Sequence, residues 1–370
     1  MARSSSAENA SAIVACTLVV AFALALRVLL LAASMSKRAA ALTTPTKGSA
    51  PKRAKSAAAK VADKKVLSCG PLLGADEPLF ILGEAHGLVR CKVLRRPSSR
   101  NRSPYVCDVE LEDGREAICH VPSLGLAGKA DAGAFILVKP AVDKKGELVG
   151  DGAVSPKYGT PKCEFICQLA ELSGGGYVGA HPSIGETAAK ALLLRTKLLS
   201  DLWAGGRDAA TIRREVTNPF GADMRSDFVI SGKDAEGLVL EVKTVVDCDT
   251  DAGFEAGGAG PRVAAIFPWG TSNQKGPDGE KVVSARAIKH VDSLAKIKAS
   301  GDAAAAVLFV AVRQDCDVFR PNVGACPSFA AHLAAAADAG VAVVARRLRW
   351  EVQGGVAAAF DDGPIDVVFP

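Results

Sequence analysis

The hydrophobic pattern changes period near residue 185. Between residues 76 and 172, apolar and polar positions alternate in short runs, the period of half-buried strands. Residues 88–94 alternate, a polar arginine-rich stretch at 95–103 follows, and residues 105–111 alternate again. Asp113-Gly114 is a strong hairpin signal leading into residues 116–121. Residues 135–138 and 163–167 add two more strands. Five short strands predict a small sandwich or barrel, and an OB-type barrel fits the count. A small all-β domain without a ligand fits it equally.

Beyond Gly185 the grammar is mixed α/β. Residues 186–203 read as a helix with Leu192, Leu193, Leu194, Leu198 and Leu199 on one broad face. Residues 212–217, 227–230 and 238–246 read as strands, 283–299 as a helix and 305–312 as a strand covered on both faces. Residues 327–339 form a helix ended by Gly340, and 341–345 with 348–352 make a last strand. A mixed sheet with helices on both sides is expected. The glycine-rich residues 247–260 are expected to form a mobile loop.

Candidate chemistry sits on the meander of this second part. Residues 232–237 look like a hairpin turn bounded by glycines. Folding back about its centre puts Asp227 opposite Val242, within one residue of Glu241 and Lys243. A slip of one residue would place all three side chains on one face. Two carboxylates and an ammonium so arranged suit metal-dependent phosphodiester hydrolysis, with the acids holding a hard cation and the lysine serving a water. A solvated strand with a surface ion pair would show the same spacing.

Charge narrows the partners. The net charge of +5 is misleading, because residues 36–65 hold nine Lys/Arg and one Asp. From Val66 onward the chain is mildly acidic, so a nucleic-acid surface there must be a local patch. The ten cysteines include no Cys-x-x-Cys pair, which argues for buried reduced thiols and against structural zinc. Residues 12–35 are long and apolar, and the Ala/Lys/Ser/Pro tract after them cannot bury a core. Three readings stand for this leader. It imports the chain into a plastid or mitochondrion and is cleaved, it anchors the chain in a membrane through residues 12–35, or its basic arm around Pro51-Lys52-Arg53-Ala54-Lys55 binds nucleic acid or acts as a nuclear signal.

Several blocks, in order, resemble the sugar fermentation stimulation protein A family. They are His120-Val121-Pro122-Ser123-Leu124-Gly125, Arg214-Glu215-Val216, Gly221-Ala222-Asp223-Met224-Arg225-Ser226-Asp227-Phe228, Leu240-Glu241-Val242-Lys243-Thr244-Val245, Phe267-Pro268 and Ser284-Ala285-Arg286-Ala287-Ile288-Lys289-His290-Val291. The chain departs from the family's Asn at Ser123 and His181. The resemblance implies an α+β architecture, an OB-like barrel at residues 76–175 followed by a restriction-endonuclease-like PD-(D/E)xK domain at 176–356. It leaves residues 1–35 as a signal or anchor, 36–75 as a basic linker or transit segment and 357–370 as a tail. It also implies Mg2+ held by Asp227 and Glu241, Lys243 assisting a water, and Glu186 as an additional acid. The implied partner is DNA, double-stranded and with low sequence specificity. Arg225, Lys289 and His290 would contact it from the second domain. Arg95, Arg96, Arg100 and Arg102 read as a solvated loop or, beside an OB barrel, as phosphate contacts. Activity divides between nuclease and non-catalytic DNA binding, and a membrane-anchored protein with an unrelated partner and a homodimer are further options.

Overall fold

The computed structural model describes residues 66–124, 126, 128–233, 235–249 and 263–370, all within one compact unit. The leader at 1–65, and most of the glycine-rich segment at 247–260, lie outside the described residues. Among the described residues no helix is long and apolar enough to cross a membrane.

The first part closes into a ring of five strands: β1 (Val89–Arg95), β2 (Val106–Leu111), β3 (Glu116–His120), β4 (Phe135–Pro140) and β5 (Phe165–Glu171). β1 pairs antiparallel with β2 and β4, β2 with β3, and β4 with β5. A parallel pairing of β3 with β5 completes the ring. This is the OB-like topology expected from the strand count. Val93, Cys107, Val109, Cys119, Val138 and Cys167 fill the interior. Strand β6 (Tyr177–Gly179) pairs with β5 on the outside.

The second part is a mixed sheet. Helix α1 (Ser183–Arg195) leads into the antiparallel meander β7 (Thr211–Thr217), β8 (Arg225–Ser231) and β9 (Gly237–Val245). Helix α2 (Ala285–Ser300), strand β10 (Ala303–Ala311), helix α3 (Pro327–Asp338) and strands β11 (Ala342–Gln353) and β12 (Val356–Val367) follow. β9, β10 and β11 run parallel, and β12 turns back antiparallel on β11. α1 covers one face with Ile184, Ala188, Leu192 and Leu193. α2 and α3 cover the other with Ile288, Val291, Leu294, Phe329 and Leu333. Each buried Leu, Ile, Val or Phe among these contributes about 1.5–3 kcal/mol of transfer free energy. Ser284 caps α2 by accepting from the Ala287 N–H, and Gly301 ends it at φ 75°.

Three expectations are corrected. The helix over 186–203 breaks after Arg195, where extended Thr196 turns its hydroxyl back onto the Leu192 carbonyl, and a short helix at Leu198–Leu202 follows. Residues 357–370 are not a tail, because they supply most of β12. Its acids meet the arginines of β11: Arg346 pairs with Asp361, and Arg347 with Asp362 at 2.8 Å. Those arginines therefore lace two paired strands together. Asp247–Asp249, expected in the mobile loop, is a short strand paired with Ala264–Phe267.

Candidate metal centre

In the β8–β9 hairpin Phe228 faces Leu240, Val229 faces Val239 and Ile230 faces Leu238. Continuing that register by one step brings Asp227 level with Glu241, where the sequence put it level with Val242. The five-residue connection between Ser231 and Gly237 makes the difference. That single step puts Asp227 on the face of Glu241 and Lys243, while Leu240 and Val242 enter the core beneath α1. The Val242 N–H donates to Asp227 Oδ2 at 2.7 Å and fixes that carboxylate.

Glu241 is 3% exposed. Its Oε1 accepts from Lys243 Nζ at 2.5 Å and lies 2.6 Å from His290 Nδ1 on α2. Arg286, one turn earlier, directs Nε at His290 Nε2 at 3.4 Å. These contacts suit the tautomer in which His290 donates through Nδ1 and accepts at Nε2. Glu241 Oε2 is buried without a hydrogen-bond partner among the described residues. Such an atom is costly to bury alone and calls for a water or a cation as its partner.

The two acids titrate apart. Burial pushes Asp227 up to about 6, and the neighbouring Glu241 charge adds to this against the Val242 N–H and Lys243. Burial would raise Glu241 as well, but the His290 hydrogen bond and Lys243 outweigh it and hold Glu241 below the ordinary carboxylate range. Such splitting is typical of functional carboxylate pairs.

The donor set fits a hard divalent cation. Glu241 offers a bare oxygen, and a cation would take Asp227 through Oδ1, since Oδ2 serves the backbone. Among the described residues no group of three or more His, Cys, Asp or Glu could hold a metal. Water would therefore fill most of the coordination shell, as Mg2+ tolerates well.

The other candidates distribute around this centre. Glu186 lies in the first turn of α1 with its side chain 57% exposed, 3.6 Å from Arg214. Its charge reaches Asp227 only as a minor influence. Lys289 meets Asp223 at 2.6 Å and Arg225 lies 3.9 Å from Glu215, both at the surface. With Arg286 they border a groove of about 470 Å³ that has His290 in its lining. His290, expected as a nucleic-acid contact, lines this groove and also supports Glu241. Sequence reasoning gave no role to Arg286 or Asp223. The available signal was polar His290 on the apolar stripe of α2, four residues after an arginine. On the barrel, Arg95 and Arg100 lie 3.4 and 3.7 Å from the buried Asp108 carboxylate. Arg96 donates to the carbonyls of Pro104 and Ser123, both at 2.8 Å. These three order the loop after β1, while Arg102 is exposed on it.

A family model described as the sugar fermentation stimulation protein RE domain matches residues 277–354. The sugar fermentation stimulation protein homolog of Ruegeria pomeroyi is 29% identical over 244 residues, 66% of this chain and 84% of its own length. That of Acetivibrio thermocellus is 29% identical over 262 residues, 70% and 88% of the two chains. Over these spans this chain is similar to the sugar fermentation stimulation protein family. The structure of Pyrococcus furiosus SfsA in complex with Ca2+ superposes with a TM-score of 0.55 at 19% identity, covering 79% of this chain and 99% of that one. It shares the fold, an OB-like barrel joined to a nuclease-like sheet. The matched SfsA segment runs from before α2 into β11, so it includes His290 but neither Asp227 nor Glu241.

Proposed function

We propose that this SfsA-like protein binds DNA and hydrolyses its phosphodiester bonds with a divalent cation at Asp227 and Glu241. The observation that carries the proposal is the bare, buried Oε2 of Glu241 beside a second carboxylate and an ammonium. That Pyrococcus furiosus SfsA was solved in complex with Ca2+ supports a hard-cation site, and Mg2+ takes the same oxygen donors. The cation would supply Lewis-acid charge at the scissile phosphate. Lys243 Nζ, held against Glu241 Oε1, orients the attacking water in line with the leaving oxygen. Arg225, Arg286 and Lys289 line the groove and bind flanking phosphates. The exposed Lys289–Asp223 pair is worth little and yields readily to a phosphate.

Incubating supercoiled plasmid and duplex oligonucleotides with the protein and Mg2+ tests this directly. Nicking or cleavage is expected, with loss of at least 100-fold in Asp227→Asn. Cleavage that survives the substitution rejects the site. The outward-facing Glu186 favours a second reading, in which the fold binds DNA without turnover. Steeply salt-dependent binding with no product would select it.

A further inference from the structure

The outer wall of the barrel carries a row of rings and cations that the metal centre does not use. Lys139 on β4 pairs with Ile166 on β5, and Ile166 pairs with His120 on β3. The three therefore stand side by side across neighbouring strands, while their sequence neighbours Val138, Cys167 and Cys119 point inward. Tyr105 extends the row. It is 40% exposed, and its ring lies 6.4 Å from that of His120 at an angle of 42°.

The row is held rigid. The Val121 N–H donates to the Tyr105 carbonyl at 2.8 Å, and Arg96 clamps the carbonyls of Pro104 and Ser123 on either side. His181 adds a third ring. The Ala180 N–H bonds to Gln168 on β5, and the Ser183 hydroxyl lies 2.7 Å from His181 Nδ1. Burial, followed by neighbouring Lys139 and His120, pushes the pKa of His181 down, which agrees with its place at this row.

His181 also lies where the row meets the second domain, just before α1, which packs on the face of β9 opposite Glu241 and Lys243. The next residue, Pro182, accepts from the Thr244 hydroxyl at 3.4 Å, and Thr244 follows Lys243 on β9. Gly185 lies so close to Thr244 that a Cβ there would come within 1.9 Å of its hydroxyl. Five residues after His181 comes Glu186, whose charge reaches Asp227. An exposed Tyr105 ring with the half-buried rings of His120 and His181 beside exposed Lys139 offers the base-stacking surface and the cation that bind single strands without sequence preference.

The geometry points to Tyr105, His120 and His181, with Lys139, as a stacking platform for an unpaired DNA strand that flanks the duplex at the metal centre. This inference rests on the DNA-binding reading above and names the form of DNA that the protein prefers, a duplex with a single-stranded tail. Fluorescence anisotropy of the full chain, carrying Asp227→Asn to prevent cleavage, compares a blunt duplex with the same duplex bearing a ten-nucleotide tail. The tail is expected to tighten binding about tenfold or more, the scale of one or two stacked bases. Tyr105→Ala with His120→Ala should erase that gain and leave blunt-duplex affinity within twofold. Tyr105→Phe, which keeps the ring, should preserve it. A tail that adds nothing, or a double variant that weakens both DNAs equally, overturns the platform and leaves the DNA-binding reading standing. Binding of neither DNA overturns both.

Discussion

At the scale of single residues, the fate of Glu241 is decided by its partners. A carboxylate 3% exposed persists as an anion only with strong compensation. Lys243 and His290 supply it at one oxygen and leave the other bare. His290 is thus a positioning residue, since it touches the acid and lies one step back from the cation. A charge-assisted hydrogen bond of this kind is worth about 1.5–3 kcal/mol. Loss of such a support costs metal sites roughly 10–100-fold in affinity. Calorimetric titration of the full chain with Ca2+ or Mg2+ should therefore show His290→Ala weakened by that factor. Lys289→Ala, its exposed neighbour, should remain within twofold. Equal affinity in the wild type and His290→Ala would remove His290 from the site.

At the scale of elements, the hairpin was legible because glycines bracket a polar turn between two apolar runs. The register was not, since the turn's residue count, rather than its composition, decides which side chains face each other. The support from α2 was also hidden, because the contact of His290 with Glu241 joins residues 49 apart. Strand β12 escaped notice for a different reason. Its alanines carry little β signal, and Asp361-Asp362-Gly363-Pro364 reads as a turn until the arginines of β11 neutralise the acids. The short strand at Asp247–Asp249 carries a further consequence. Asp247 is 1% exposed, and neither carboxylate oxygen has a hydrogen-bond partner among the described residues. Burial raises its pKa from 3.8 to about 7, partly offset by Arg313. Because the folded value lies above the unfolded one, the folded state holds the proton more tightly. Stability from this group is complete below about pH 4 and is lost as pH rises through 7. At about 1.4 kcal/mol per pKa unit, the ionised group costs a few kcal/mol at pH 8. Asp247→Asn should raise the urea midpoint most at pH 8, by less than half as much at pH 5, and hardly at all at pH 3.5. An equal gain at all three values, or a loss at pH 8, would show that Asp247 has a partner in the folded protein.

At the scale of the whole molecule, the break in sequence period near residue 185 does not mark a break in the core. One apolar cluster runs from Cys91 and Val109 in the barrel through Leu192 and Leu193 on α1 to Leu240 and Leu308 in the sheet. The backbone joins the same two parts, because the Gly179 N–H donates to the Val312 carbonyl at 2.7 Å. Trp350 of β11 donates through Nε1 to that carbonyl at 3.1 Å and packs edge-on against Phe80, with ring centroids 5.9 Å apart. Phe80 belongs to a strand before the barrel that pairs with β12, so chain on both sides of the barrel is tied to the sheet. A barrel that opened alone would expose the base of α1, and an opened sheet would strip β6 of its support. Both parts should therefore unfold together. Differential scanning calorimetry is expected to give one transition whose calorimetric and van't Hoff enthalpies agree. Two resolved transitions, with the earlier one sensitive to Gly179→Val at the junction, would show instead that the shared core is too weak to couple barrel and sheet. The stacking row and the metal centre would then move independently, and a tail held on one could not be kept in register with a phosphate held at the other.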